Sequence, residues 1–259
     1  MPIPTALTIA GSDSGGGAGI QADLKVFAEH RVYGMSVITA ITAQNTVAVT
    51  AIHLVPADVV RAQIAAVLAD LPVGAIKIGM LGSEEIAAVV AESLVGFKGP
   101  VVLDPVLVAK SGDRLLAERA EAALRELVVP RATVVTPNLP EAAVLLGDEP
   151  PSDWAVRTGK ALLLKDGHGS GPEVADRLYL PDGRVRTWRH PRQETRNTHG
   201  TGCTLSSAVA ARLARGEALE HAVERSLVYV TTLLRLSSEH ELGAGHGPLL
   251  HASVGVPFE

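Results

Sequence analysis

The sequence of 259 residues predicts an α/β fold, a mostly parallel, doubly wound sheet with helices on both faces. Short runs rich in valine, isoleucine and leucine alternate with longer segments of helical periodicity, which is the pattern of strands connected by crossover helices. Continuously apolar strands indicate a sheet that is buried on both faces. The predicted strands are "ALTIAG", "SVITAI", "AIKIGML", "PVVLD", "ATVVTP" and "ALLLKDG".

The spacing of apolar residues predicts the helices, and a change in residue type predicts one edge of the sheet. Residues 57–71 and 83–96 place alanine, valine and leucine three and four positions apart, and Ser83 is a suitable N-cap for the second helix. Residues 174–190 change to short β-prone runs joined by Pro-Asp-Gly, which predicts an antiparallel hairpin at a sheet edge. After Cys203 the chain is predicted to be helical to about Ser238. No repeat or linker interrupts the pattern, so a single domain, 1–259, is expected.

The composition argues for and against particular classes of binding partner. The formal charge is −5 without a Lys/Arg-rich run, which argues against nucleic acid and anionic membrane surfaces and favours a small-molecule ligand. No apolar run approaches the length that crosses a bilayer. A single cysteine cannot form an internal disulfide, and the N-terminus lacks the features of a signal peptide, so a cytoplasmic protein is expected.

In such a sheet, ligands bind beyond the carboxyl ends of the strands. The glycine-rich segment "AGSDSGGGAGI" follows the first predicted strand and is read equally well as a ligand-binding loop or as a flexible turn. It matches neither the P-loop nor the dinucleotide-binding spacing. Asp23, in the helix that follows, would at least favour the helix dipole.

Asp104 ends an apolar strand, where its carboxylate either caps a turn or holds a hard cation. Asn138 and Glu141 lie three residues apart at a strand-to-helix junction, where they form either a capping box or a second set of oxygen ligands. Oxygen ligands from two loops would suit Mg²⁺, whereas no zinc-ligand spacing is present.

The segment "NTHGTGC" precedes a predicted helix. Gly200, Thr201, Gly202 and Cys203 can present consecutive backbone N–H groups at its positive end, which predicts an anion hole. A thiol at a helix N-terminus is expected to have a lowered pKa and to act as a base or nucleophile; the alternative is a structural cysteine. A Ser-His-Asp or Cys-His hydrolase is less favoured, because no G-x-S-x-G motif is present and a loop in this position near the C-terminus suits phosphate better than an acyl group.

These motifs, in this order, are a glycine-rich first loop, "TAQNT", "KIGML", "LDPVLVAKSG", "TPNLPEA", "KDGH" and "NTHGTGCTLSSA". They strongly resemble the hydroxymethylpyrimidine and hydroxymethylpyrimidine phosphate kinases of thiamin biosynthesis, over nearly the whole chain. The resemblance implies the ribokinase-like three-layer α/β/α sandwich. It also implies a cytoplasmic homodimer that transfers phosphate from ATP with Mg²⁺, and it leaves open whether a monovalent cation assists.

The resemblance further implies residue roles. Gln44 would read the pyrimidine in a pocket shaped by Gly11, Ala18, Asp23, Met80 and Val106. Asp104 and Glu141 would hold Mg²⁺. The nucleotide side would be lined by Asn138, Lys165 and His168 and closed by the loop 242–248 with Gly243 and Gly245. Cys203 would accept the proton of the acceptor alcohol, beside the amides of Gly200, Thr201 and Gly202.

Three alternatives stay open. A pyridoxal kinase uses the same scaffold, and the residues around Gln44 and Met80 would decide between the two. An ADP-dependent hydrate dehydratase, a lyase, is less favoured, because its loop carries an acidic residue where this chain has Cys203. A non-enzymatic sensor is disfavoured by the presence of Asp104, Glu141 and Cys203 together.

Overall fold

A nine-stranded sheet forms the centre of the molecule in the computed structural model, which describes residues 3–106, 118–167 and 171–251. The strand order is β3-β2-β1-β4-β5-β6-β7-β8-β9. The strands are β1 (Thr5–Asp13), β2 (Tyr33–Gln44), β3 (Val49–Leu54), β4 (Ala75–Ile78), β5 (Val101–Leu103), β6 (Val134–Val135), β7 (Ala161–Leu164), β8 (Glu173–Tyr179) and β9 (Val185–Pro191). The six neighbouring strands in the middle of this order are parallel, namely β2, β1, β4, β5, β6 and β7. Antiparallel pairs lie at both edges, β2 with β3 at one edge and β7 with β8 and β8 with β9 at the other.

Helices cover both faces of this sheet. They are α1 (Gly19–Glu29), α2 (Ala57–Asp70), α3 (Glu84–Ser93), α4 (Glu118–Ala123), α5 (Leu139–Leu146), α6 (Pro151–Thr158), α7 (Thr201–Ala214) and α8 (Leu219–Ser237). A π-helical turn, Leu124–Val128, and a 3₁₀ turn, Val129–Arg131, continue from α4.

Two separate apolar cores define the three layers. Side chains alternate across β1, so that Leu7 and Ile9 join the core with α2, α3 and the α4 segment, whereas Ala6 joins the core with α1, α7 and α8. The predicted three-layer α/β/α sandwich with a mostly parallel sheet is therefore confirmed.

Most of the predicted elements are present, including all six strands, the hairpin formed by β8 and β9, and Ser83 as the N-cap of α3. One difference is β3, which pairs antiparallel with β2 and was not predicted. Its six residues are largely exposed and lack an alternating pattern. The other difference is a break at Gly216, whose φ of 85° ends the helical segment after Cys203 and divides it into α7 and α8.

The parallel arrangement brings the strand ends with unusual side chains to one edge of the sheet. Asp13 and Gln44 end β1 and β2, and Asp104 follows β5. Asn138 and Lys165 lie side by side after β6 and β7, where the Lys165 N–H donates to the carbonyl of Pro137 at 2.9 Å. The N-termini of α1 and α7 point to the same edge, as expected for a ligand site in this architecture.

Among the residues that the structure describes, none of the helices combines the length and apolar character that a membrane span requires.

Acid stability is predicted to depend on His30, which is buried at the end of α1 and lies in edge-to-face contact with Tyr229. Burial, together with the charges of Arg212, Arg215 and Arg225, lowers the pKa of His30 to about 4. The folded state therefore disfavours protonation, and its stability is complete above pH 6.5 and falls as the pH approaches 4. We expect His30→Gln to reduce the loss of unfolding free energy on acidification by up to about 3 kcal/mol.

Urea unfolding at neutral pH and at about pH 4.5 measures this loss of unfolding free energy in the wild type and in His30→Gln. The control is His221→Gln, because His221 is exposed. An identical acid dependence of wild type and His30→Gln would contradict the assignment.

Candidate active site

Asp13 organises the glycine-rich loop after β1. Its Oδ1 accepts the N–H of Gly15 at 2.8 Å, and its Oδ2 accepts the N–H groups of Gly17 at 3.1 Å and Ala18 at 2.9 Å. Burial of the carboxyl group opposes ionisation, but the contact with His199 and these N–H donors outweigh it, so the pKa of Asp13 lies below its usual value. The loop is thus gathered around an ionised carboxylate.

His199 joins this loop to the segment before α7. Its Nε2 lies 2.8 Å from Oδ2 of Asp13, and the histidine side chain is only 11% exposed. Because Asp13 is ionised, we assign the proton of this contact to His199 Nε2. Nε2 of Gln44 lies 3.4 Å from the same nitrogen, while Oε1 of Gln44 accepts the Thr42 hydroxyl at 3.1 Å. Two donors cannot satisfy each other, so the Gln44 N–H groups stay available to an acceptor.

Gly200 allows the close approach of the two loops. It is the N-cap of α7 with a φ of 81°, in the left-handed region, and a Cβ there would collide with the carbonyl oxygen of Gly17. The left-handed φ and this collision each exclude a side chain at position 200. The first N–H groups of a helix lack intrahelical acceptors. The N–H of Thr201 donates to the carbonyl of Thr198 at 3.4 Å, and an anion hole formed by the N–H groups at the start of α7 stays a prediction.

Cys203 lies in the first turn of α7, near Gly19, the first residue of α1, whose N–H acts on the pKa of the thiol. Burial, with the charges of Asp23 and Asp104, raises the pKa of the thiol to about 11, and Lys77 and the Gly19 N–H only partly oppose this. The expected lowering of the pKa is therefore wrong, because desolvation outweighs the helix N-terminus. Cys203 is a neutral thiol near pH 7.

Asp104, Lys165 and Gly202 meet at the centre of the site. Lys165 Nζ donates to Asp104 Oδ1 at 2.9 Å, Thr136 donates to the same oxygen at 3.2 Å, and Ser206 of α7 donates to Oδ2 at 3.3 Å. A Cβ on Gly202 would lie 3.4 Å from both Asp104 Oδ2 and Lys165 Nζ. The N-terminus of α7 is therefore packed directly against this ion pair.

The ion pair shifts the pKa of each member. Burial would raise the pKa of Asp104, but the charges of Lys165 and Lys77 outweigh it, so the pKa lies below the usual value. Burial would likewise neutralise Lys165, and the charges of Asp104 and Glu141 instead raise its pKa. Both groups are charged near pH 7 and neutralise each other.

Asn138 and Glu141 form a complete capping box at the start of α5. Asn138 Oδ1 accepts the Glu141 N–H at 2.9 Å, and Glu141 Oε2 accepts the Asn138 N–H at 2.8 Å. Burial and the nearby charge of Asp104 raise the pKa of Glu141 to about 7, although Lys165 opposes this. Glu141 is thus close enough to Asp104 for the two charges to interact, and its metal-binding role stays a prediction.

The expected pyrimidine pocket is assembled at the ends of β1, β2 and β4. Gly11 adjoins Met80, because a Cβ on Gly11 would lie 3.4 Å from the Met80 sulfur. The carbonyl of Met80 accepts the Thr39 hydroxyl at 2.7 Å. Ala18 is the N-cap of α1, and Val106, partly exposed, follows Asp104 by two residues. Their contacts with a substrate stay predictions.

Asp23 does not lie on a pocket wall. Its side chain is fully buried, and its carboxylate accepts hydrogen bonds from Thr8, Lys77 and Ser207. Because this carboxylate is enclosed between α1, α7 and the sheet, Asp23 can shape the pocket only through the elements that it holds, and that role stays a prediction.

Gly243 and Gly245 lie on the Gln44 side of the site. The Gly245 N–H donates to the Thr46 hydroxyl at 3.2 Å, and a side chain on either glycine would collide with Thr46. A role of this loop in closing the nucleotide side stays a prediction. His168 lies outside the described residues.

Three residues escaped the sequence analysis as site components, namely Asp13, His199 and Lys77. Asp13 and His199 stand within the quoted motifs, but nothing in their spacing indicates that residues so far apart pair with each other. Lys77 is the single charged side chain in "AIKIGM", and a lysine within an otherwise apolar strand was an available signal for a buried ion pair.

The sequence matches a family of known proteins. A family model described as phosphomethylpyrimidine kinase matches residues 13–250. The hydroxymethylpyrimidine/phosphomethylpyrimidine kinase of Rhizobium meliloti (strain 1021) is 51% identical over 256 residues, covering 95% of this chain and 96% of that protein.

Two solved structures match the fold. The phosphomethylpyrimidine kinase of Clostridium difficile 630 has a TM-score of 0.75 and 41% identity, covering 88% of this chain and 98% of that chain. An ADP complex of Bacillus subtilis pyridoxal kinase has a TM-score of 0.85 and 35% identity, covering 97% and 98%. The fold is that of the ribokinase-like kinases of small molecules. Within that class, the chain belongs to the phosphomethylpyrimidine kinase family.

Proposed function

We propose that this protein transfers the γ-phosphoryl group of ATP to 4-amino-5-hydroxymethyl-2-methylpyrimidine and then to the resulting monophosphate, giving the pyrophosphate for thiamin biosynthesis. The observation that carries the proposal is the meeting of the α7 N-terminus, Cys203 and the Asp104–Lys165 pair at one point, with Gly202 between them. Phosphoryl transfer depends mainly on positioning and charge neutralisation, and these groups supply both.

The α7 amides at Gly202 and Cys203 hold the transferring phosphoryl group, because helix N-terminal N–H groups bind phosphate oxygens. Lys165 turns from Asp104 to the phosphates as ATP binds, and Asn138 beside it completes the nucleotide side. Gly243 and Gly245, with His168, are proposed to close that side of the site.

The carboxylates of Asp104 and Glu141 fit Mg²⁺. Both are buried, and the charge of Asp104 raises the pKa of Glu141, which supports two oxygen donors close to each other. The described residues contain no group of three His, Cys, Asp or Glu side chains able to hold a metal. Mg²⁺ held by two carboxylates would take its remaining ligands from phosphates and water. When bound, it would neutralise charge on the triphosphate. Assistance by a monovalent cation stays a prediction.

Cys203 lies where the acceptor oxygen must approach the α7 N-terminus. Bond formation lags behind cleavage in a loose phosphoryl-transfer transition state, so a strong base is not required in the ground state. Cys203 can accept the proton of the alcohol in the first transfer only as a thiolate, so the neutral thiol must first release its own proton to water. In the second transfer the same neutral thiol adds no negative charge beside the phosphate acceptor.

Gln44 is proposed to read the pyrimidine edge, with Gly11, Ala18, Met80 and Val106 around the ring. The available N–H groups of Gln44 match a ring nitrogen, and its Oε1 matches an exocyclic amino group. Thr42 fixes the amide, and Ser14 holds the Gln44 backbone through hydrogen bonds of 2.7 and 2.8 Å.

His199→Ala is predicted to weaken acceptor binding. The substitution removes the contact that ties the Asp13 loop to the α7 loop, and a hydrogen bond to a charged group contributes about 1.5–3 kcal/mol. We expect an increase of about tenfold or more in the KM for the hydroxymethylpyrimidine, measured by steady-state kinetics, with a smaller change in the KM for ATP.

The matched control is His190→Ala, because His190 pairs with buried Asp176 at 3.1 Å on the β8–β9 hairpin, outside the site. Equal effects of the two substitutions on the acceptor KM would contradict the proposed role of His199.

The activity is tested by mass spectrometry after incubation with Mg·ATP and, in separate reactions, the hydroxymethylpyrimidine, its monophosphate and pyridoxal. We expect mono- and diphosphorylated pyrimidine. Turnover of pyridoxal alone would favour the second candidate, a pyridoxal kinase, which the 35% identical B. subtilis structure supports. No turnover of either pyrimidine would exclude the main proposal.

We further propose that the enzyme is a cytoplasmic homodimer, on the strength of the family resemblance. Light scattering coupled to gel filtration measures the mass, and a value matching one 27.0 kDa chain would reject the dimer.

A further inference from the structure

We propose that Asp23 is a positioning residue for Cys203, and that it acts through a buried cluster with Thr8, Lys77 and Ser207, called here the Asp23 cluster. The inference deepens the proposed function, on which its kinetic readout rests. It assigns to the interior of the protein the task of fixing the two helix N-termini that enclose the thiol.

The Asp23 carboxylate binds three separate elements. Lys77 of β4 donates to both oxygens, at 2.9 and 2.8 Å. Thr8 of β1 donates to Oδ2 at 2.6 Å, and Ser207 of α7 donates to Oδ1 at 2.7 Å. All four residues have zero exposure. Since Asp23 belongs to α1, the cluster fastens α1 to α7 and both helices to the sheet.

The cluster lies one helical turn from the thiol along both helices. Ser207 follows Cys203 by four residues in α7, and Asp23 follows Gly19 by four residues in α1. Residues four apart share a helix face. One turn nearer the active site the two helix N-termini touch again, because a Cβ on Gly200 would lie 3.4 Å from Cα of Ala18. The Gly19 N–H also acts on the pKa of the Cys203 thiol, in agreement with this proximity.

Because these two contacts between α1 and α7 lie one helical turn apart, a change in the distance between the helices at the Asp23 cluster is transmitted to the Cys203 thiol. Lys77 also extends toward the site, because a Cβ on Gly79 would lie 2.8 Å from Nζ of Lys77. Its charge interacts with Cys203 and Asp104. An ion pair buried in this way is seldom the most stabilising choice for a core, so a positional role accounts for it better than stability alone.

The test uses two mild substitutions that leave the Lys77–Asp23 pair intact. Ser207→Ala removes the bond between α1 and α7, and Thr8→Val removes the bond between Asp23 and β1 with nearly the same shape. The control is Ser226→Ala, because Ser226 of α8 is equally buried and its hydroxyl bonds only the carbonyl of Ala222, within its own helix.

For both cluster variants we expect kcat to fall about tenfold in each phosphorylation, with the acceptor KM changed by less than about twofold. We also expect alkylation of Cys203, the only cysteine of the chain, to accelerate at least about threefold, because the thiol is less firmly enclosed. Ser226→Ala should lower the melting temperature to a similar extent while kcat and the alkylation rate stay at the wild-type values.

The proposal is wrong if Ser207→Ala and Thr8→Val keep the wild-type kcat and alkylation rate and lose only as much melting temperature as Ser226→Ala. The Asp23 cluster would then contribute to stability alone. If the wild type phosphorylates neither pyrimidine, the proposed function fails. The alkylation rates still decide whether the cluster positions Cys203.

Discussion

Cys203→Asp is expected to retain much of the first phosphorylation and to lose the second by about a further tenfold. The first acceptor is a neutral alcohol, which tolerates a carboxylate beside it. The second acceptor is a phosphate monoester, whose negative charge a carboxylate at position 203 would repel. At about 4 Å and an effective dielectric constant of about 20, one pair of unit charges costs about 4 kcal/mol.

The expected loss of the second phosphorylation is only about tenfold, because nearby groups compensate part of that repulsion. Lys77 and the α7 N-terminus lie near position 203 and offset part of it, and if about a third survives, the rate changes about tenfold. The structure strengthens the expectation, because the native thiol is neutral when the anionic acceptor arrives.

Initial rates of both transfers, with separately supplied acceptors, measure the ratio between the two steps. Cys203→Ser is the control, because its hydroxyl is small and uncharged, so it places no negative charge beside the second acceptor and should not lose the second step preferentially. Equal losses in both steps of Cys203→Asp would contradict the electrostatic explanation.

Asp104→Asn is expected to lower kcat about 10²- to 10³-fold in both phosphorylations and to raise the Mg²⁺ concentration needed for half-maximal rate. The substitution removes a proposed metal ligand from the point where Gly202 and Lys165 meet. It also leaves the Lys165 ammonium group without its ion-pair partner, and breaking a buried pair typically costs about 3–5 kcal/mol of folding stability. Glu141 lies close enough to reduce that loss.

The kinetic and folding effects can be separated with Asp176→Asn. Asp176 is also buried, and it bonds His190 and the N–H of Asp166 but not Asp104. It should lose stability, measured by thermal unfolding, without a change in the Mg²⁺ dependence. A normal Mg²⁺ dependence in Asp104→Asn would remove Asp104 from the proposed metal site.

The sequence was sufficient to predict the layers and the edge that carries the site, because both follow from local patterns. Apolar strands and amphipathic helices specify a doubly wound sheet, and the strand ends then share one edge. The hairpin β8–β9 was recognisable from its Pro-Asp-Gly turn. Strand β3 was not, since its exposed residues carry no alternation, and pairing with β2 determines its conformation.

The chemistry of individual side chains was less predictable. A helix N-terminus is visible in "GTGC", but the burial that raises the pKa of Cys203 depends on α1 and the sheet packed around it. Asp23 illustrates the same limit, because its place in the core is set by Lys77 and Ser207, far away in sequence. Pairings over such distances leave no periodic trace in a single sequence.

The distances along the chain between paired residues bear on how the protein folds. His199 and Asp13 are separated by 186 residues, Ser207 and Asp23 by 184, and Ser206 and Asp104 by 102. Closing such long loops costs entropy before the contacts can form. The central strands can assemble earlier, and Lys77 can meet Asp23 across only 54 residues. Catalytic competence should therefore be acquired late, when α7 docks onto a sheet that is already formed.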